Sequence, residues 1–177
     1  MPKKKLNIRI AETAVEIAEN KDDDARWAEL STIMCWRAVV KCAYFAGAMS
    51  EKKCDQVLPS FSGEKPESFK LFVDPLKDSL AYDPATMKAV PPGSFLAFVY
   101  ENEGKPRVIH AMVSVGDGWA AGTKNSCIGI GNDAGWEFLN LAKELEWMPE
   151  QQGFNAVRPG QSGVRFVQIR YRKIKKI

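Results

Sequence analysis

The sequence predicts an α+β fold, with helices first and an antiparallel sheet after them. Two observations carry this expectation. Apolar residues recur at helical spacing through most of the first fifty positions. From Pro91 onward, strand-length apolar or alternating blocks are joined by turn signals at Pro91-Pro92-Gly93, Asn102–Lys105 and Asp117-Gly118. Such an order places helices on one side of an antiparallel sheet.

The elements follow in chain order. Leu6–Asn20 carries Ile10, Ala14, Ile17 and Ala18 on one stripe, with glutamates elsewhere, and reads as an amphipathic helix. Asp22-Asp23-Asp24 suits the N-terminus of a second helix from Ala25 to about Leu30. In residues 31–49, Trp36, Val39, Val40, Ala43 and Gly47 form a buried stripe. If Ser31 or Thr32 caps this helix, Cys35 falls in its first turn, where a thiol ionises more readily. If the helix runs unbroken from Asp24, Cys35 is mid-helix and loses that help. Residues 55–92 are rich in proline, and a loop of this length often walls a cleft. Short helices are expected within it at Glu67–Phe72 and Pro75–Leu80. Ser94–Tyr100 reads as a buried strand.

Arg107–Asn125 reads as a β-hairpin. Val108, His110, Met112 and Ser114 share one face; Ile109, Ala111, Val113 and Val115 share the other, the expected core face. Asp117-Gly118 suits a two-residue loop that needs positive φ at both positions. Gly116 then pairs with Trp119, and the same register carried down the hairpin sets His110 opposite Asn125. Beyond it, Asp133–Trp147 is expected as an amphipathic helix, Met148–Gly163 as loop, and Val164–Ile174 as a charged edge strand.

Composition narrows the function. At 177 residues, a single domain spanning 1–177 can bury a core without staples, so neither cofactor nor disulfide is expected. The net charge of +3 is mild, and the basic ends read as solvated termini, so no nucleic-acid partner is expected. No run approaches the roughly 18 apolar residues of a membrane span. No apolar stretch follows the first lysines, so no signal peptide is expected. The four cysteines form no CxxC pair and only one histidine is present, which argues against structural zinc. Cys42 and Cys127 read as buried, Cys54 as exposed.

The only histidine, set beside an amide that could orient its ring, is half of a Cys–His–Asn site. With the Cys35-Trp36 pair, the Lys124-Asn125-Ser126 run, the strand Pro92-Gly93-Ser94-Phe95-Leu96-Ala97-Phe98-Val99 and the stretch Ile109–Gly118, the chain resembles the papain-like cysteine hydrolases, above all their NlpC-type and CHAP-type branch. The resemblance implies a papain-like α+β fold. It makes Cys35 the nucleophile, His110 the general base and Asn125 the orienting residue. The oxyanion would be held by the Cys35 backbone N–H, with Ser31 or Thr32 as a second donor. It implies hydrolysis of a peptide or amide bond, or deamidation or acyl transfer through the same triad. It also suggests an effector toxin that stays cytoplasmic in the producing cell until a specialised secretion system exports it, with a peptide or protein substrate and a cognate immunity or inhibitor protein as partners. The sequence departs from the family at Glu29, where papain-type enzymes carry Gln, and at Met34, where the NlpC pattern has Asp. Those departures keep open a binding module that retained the fold and lost the chemistry.

Overall fold

A computed structural model describes residues 4–58, 80–84, 90–132, 135–157, 160 and 163–177. It is α+β. Helices α1 (Leu6–Glu19), α2 (Ala25–Thr32), α3 (Cys35–Phe45) and α4 (Glu51–Val57) precede an antiparallel sheet. The strands are β1 (Leu80–Tyr82), β2 (Ser94–Asn102), β3 (Lys105–Gly116), β4 (Trp119–Gly122), β5 (Glu137–Asn140), β6 (Trp147–Met148), β7 (Gly153–Val157) and β8 (Val164–Lys173). One more short helix, α5, spans Leu141–Glu144. The sheet runs β5-β4-β3-β2-β8-β7-β6, and β1 pairs with β8.

Local chemistry sets the helix ends. Asp24 caps α2 by accepting the Arg26 N–H at 2.9 Å. The chain turns extended at Ile33 and Met34, so α3 starts at Cys35 and is not continuous with α2. Neither Ser31 nor Thr32 caps it, because both belong to α2. The helix stops at Gly47, whose φ of +77° permits a paired closure in which Gly47 N–H donates to Tyr44 O and Ala48 N–H to Ala43 O.

The sheet is covered on both faces. On one face α1, α3 and α4 bury Ile10, Trp36, Val39 and Val40 against Phe95, Ala97, Ala111 and Val113. On the other, Leu96, Phe98 and Met112 pack with Ile128, Leu141, Phe154 and Val167. This explains why Ser94–Val99 is buried at every position. It also corrects the expected single core face of the hairpin, since Met112 and Ser114 are as buried as Ala111 and Val113. Gly93 ties the sheet to α1: a Cβ there would lie 2.0 Å from Asn7 O, and its N–H donates to Ser114 O at 2.7 Å.

Three other expectations are corrected in the C-terminal third. The helix expected over Asp133–Trp147 is confined to Leu141–Glu144: Glu137–Asn140 is instead a strand that pairs with β4, and Phe138 stacks on Trp119 with ring centres 4.5 Å apart. Pairing at the open edge of β4 outweighs a helical pattern that sustains only the four residues of α5. The stretch expected as loop contains β7 and the second residue of β6, Met148. The last strand is not an edge, because β8 lies between β2 and β7. The short helices expected at Glu67–Phe72 and Pro75–Leu80 fall outside the described residues, apart from Leu80, which opens β1.

Candidate active site

The hairpin turn forms as the sequence requires, with positive φ at Asp117 and Gly118 and Gly116 paired with Trp119. On its β2 side His110 lies opposite Phe98. On its β4 side two features alter the rest: a register shift between Ser114 and Gly116 moves Val113 opposite Ala121, and the returning strand ends early, at Gly122. Asn125 therefore does not face His110 across a ladder. Lys124 adopts φ +60°, and Asn125–Ile128 form a 3-10 turn closed by Gly129 at φ +79°. That turn wraps back over the end of β4.

The wrap brings two side chains onto one ring. Asn125 Oδ1 lies 2.9 Å from His110 Nε2. Cys127 Sγ lies 3.2 Å from His110 Nδ1. His110 and Asn125 are fully buried, while Cys127 is half-buried. Two residues apart on one turn, an amide and a thiol hold the two nitrogens of the same imidazole.

The tautomer follows from the partners. The Asn125 amide nitrogen donates to Gly122 O at 3.2 Å and to Glu137 Oε1 at 3.0 Å. Both are acceptors, so the amide oxygen is the atom turned to the ring. An oxygen there requires Nε2 to carry the proton. Nδ1 is then the basic nitrogen, and it faces the Cys127 thiol. Phe98 lies against the ring, with centres 5.3 Å apart, and excludes water from it.

The sequence placed Asn125 beside His110 and missed Cys127 as its thiol. Cys127 read as an inert buried group, and the Asn125–x–Cys127 spacing carries a signal only once the backbone is known to turn there. Glu137 was missed too, because it was assigned to a helix.

Cys35 is the first residue of α3, as one of the two expectations had it. It is 7% exposed and belongs to the core between the helices and the sheet. His110 points to the opposite side, with its cross-strand partner Phe98. Ser31 Oγ, expected as an oxyanion donor, instead donates to Trp27 O at 2.6 Å and accepts the Trp136 N–H at 2.8 Å. Thr32 Oγ1 donates to Glu29 O at 3.1 Å. Glu29, at the family's Gln position, pairs with Lys41 at 3.0 Å on the helix surface.

The other two thiols are inert. Burial pushes Cys42 up to about 12 and Cys54 up to about 11. Cys54, expected to be exposed, is fully buried, because α4 turns Cys54 and Val57 together into the core. Among the described residues, no cluster of three ligating side chains could hold a metal, and no helix is long and apolar enough to cross a membrane. No protein-family model matches the chain, and no curated protein matches it.

Proposed function

We propose that the protein is a cysteine hydrolase of papain-like type that cleaves a peptide or amide bond through a Cys–His–Asn triad. One observation supports this above others: the His110 ring has Asn125 on Nε2 and a thiol on Nδ1. That is the arrangement a thiol base needs. The geometry favours Cys127 as nucleophile. Nδ1 takes the Sγ proton, and the thiolate attacks the carbonyl carbon to form a tetrahedral oxyanion. As the C–N bond breaks, the departing amine takes the proton from Nδ1, leaving a thioester. Water attacks the thioester, gives its proton to Nδ1, and the acid departs as Sγ regains a proton. An amine in place of water would complete acyl transfer; a glutamine side chain as substrate would be deamidated. The Cys127 N–H is already donated to Lys124 O at 3.2 Å, so the oxyanion draws its donors from elsewhere.

A second reading keeps Cys35 as nucleophile. Its position at the first residue of α3 favours it, since the helix dipole stabilises a thiolate there.

By the family resemblance, the protein acts as an exported effector on peptidoglycan or on a protein of the target cell, and is held in check by a cognate immunity protein. The test is growth on expression in the bacterial cytosol, the periplasm and a eukaryotic cytosol. Wild type is compared with Cys127→Ala, Cys35→Ala and His110→Ala. Toxicity of wild type in one compartment, lost in His110→Ala and Cys127→Ala but kept in Cys35→Ala, is the expected result. Loss in Cys35→Ala alone would assign the nucleophile to α3. Equal growth of all four everywhere would leave a binding module.

A further inference from the structure

The Cys127–His110–Asn125 reading leaves one group at the site without a role. Glu137 is the first residue of β5. Its carboxylate accepts from Asn125 Nδ2 at 3.0 Å through Oε1 and from the Asn132 backbone N–H at 3.2 Å through Oε2. Gly131 makes room for it, since a Cβ there would lie 2.5 Å from Oε1. An ionised carboxylate accepts hydrogen bonds and cannot donate them. It therefore dictates which end of the Asn125 amide turns toward it, and by default which end turns to the ring. Gly122 O makes the same demand but is a neutral acceptor at the longer distance of 3.2 Å.

We infer that Glu137 is a positioning residue of this site: by holding the Asn125 amide nitrogen, it keeps the amide oxygen on His110 Nε2 and the basic nitrogen on the Cys127 thiol. The inference rests on the proposed triad and adds a fourth member to it. Among the described residues, the charged or titratable groups around the ring and its support are Cys127 and Lys124 on the turn, Glu137 on β5, and Glu144 of α5, which accepts from Gly131 N–H at 3.3 Å. Of these side chains, the Glu137 carboxylate is the one that accepts from the Asn125 amide.

The chain has a single histidine, so ring-nitrogen NMR of histidine-labelled protein reports His110 alone. Wild type near neutral pH is expected to carry a proton on Nε2. In Glu137→Ala the form with the proton on Nδ1 alone should rise about fivefold to tenfold, the value of one hydrogen bond. Glu137→Gln, which keeps an acceptor oxygen, should stay with wild type. Glu137→Met, of similar length but without an acceptor, serves if Glu137→Ala does not fold. A wild-type tautomer ratio in Glu137→Ala or Glu137→Met overturns the inference, as does Glu137→Gln behaving like Glu137→Ala. A wild-type ring protonated on Nδ1 alone would instead overturn the triad reading beneath it.

Discussion

Cys127 Sγ and His110 Nδ1 stand 3.2 Å apart on the side of the sheet away from α3. The contact exists because β4 ends at Gly122 and the chain turns left-handed at Lys124. A longer β4 would have carried Cys127 on along the strand, out of reach of the ring.

Gly122 is expected to be a steric guard of that arrangement. A Cβ there would lie 2.8 Å from Met112 Cγ and 3.1 Å from Asn125 Oδ1. Its φ is not in the left-handed region, so Gly122→Ala strains contacts and not backbone. Overpacking of this kind costs about 1–3 kcal/mol. Thermal unfolding should drop by several degrees, and Cys127 should react more slowly because Asn125 is pushed from the ring. Unchanged melting and reactivity would show that the pocket absorbs the methyl.

Gly93→Ala should be far more damaging. Its φ is +71°, and the added Cβ would meet the Asn7 backbone oxygen at 2.0 Å, which no side-chain movement relieves. Left-handed strain alone costs about 1 kcal/mol or more, and the clash must part α1 from the start of β2. Chemical denaturation should show a loss above about 2 kcal/mol, at the upper end for point substitutions. A midpoint near wild type would mean that α1 shifts freely.

The buried thiols predict an alkaline limit to stability. In the unfolded chain a thiol ionises near about 8.5. In the folded protein burial raises Cys42 to about 12 and Cys54 to about 11. Their stabilising effect is complete below the unfolded value. It is lost as pH rises from there toward the folded values, because only the unfolded state releases the protons. Denaturation midpoints from pH 8 to 10.5 should fall with pH, and fall less steeply in Cys42→Ala. Identical slopes would show that Cys42 titrates alike in both states.

Much of this was readable from sequence, and the failures have physical causes. Asp24, the helical stripes and Asp117-Gly118 act over a few residues, so α1 to α3 and the hairpin turn were legible. His110 and Asn125 were paired correctly but by a route that does not exist. The expected ladder is broken by a register shift between Ser114 and Gly116 and by the early end of β4, and a 3-10 turn restores the contact. The pairing of Glu137–Asn140 with β4 and the central place of β8 are decided by which strand edge is open, a non-local matter. Cys54 was read as exposed and is buried, and Cys127 was read as buried and is half-buried, because burial depends on which way α4 and the 3-10 turn face.

The central claim is that His110 activates Cys127. The most direct measurement is site-resolved alkylation by limiting iodoacetamide at pH 7, with each cysteine peptide quantified by mass spectrometry in wild type and His110→Ala. A free thiol is only a few per cent thiolate at that pH, so pairing with His110 should speed Cys127 about tenfold. Cys127 should be modified ahead of Cys35, Cys42 and Cys54, and the advantage should vanish in His110→Ala. Preferential labelling of Cys35 that depends on His110, with Cys127 unaffected by loss of the ring, would contradict it.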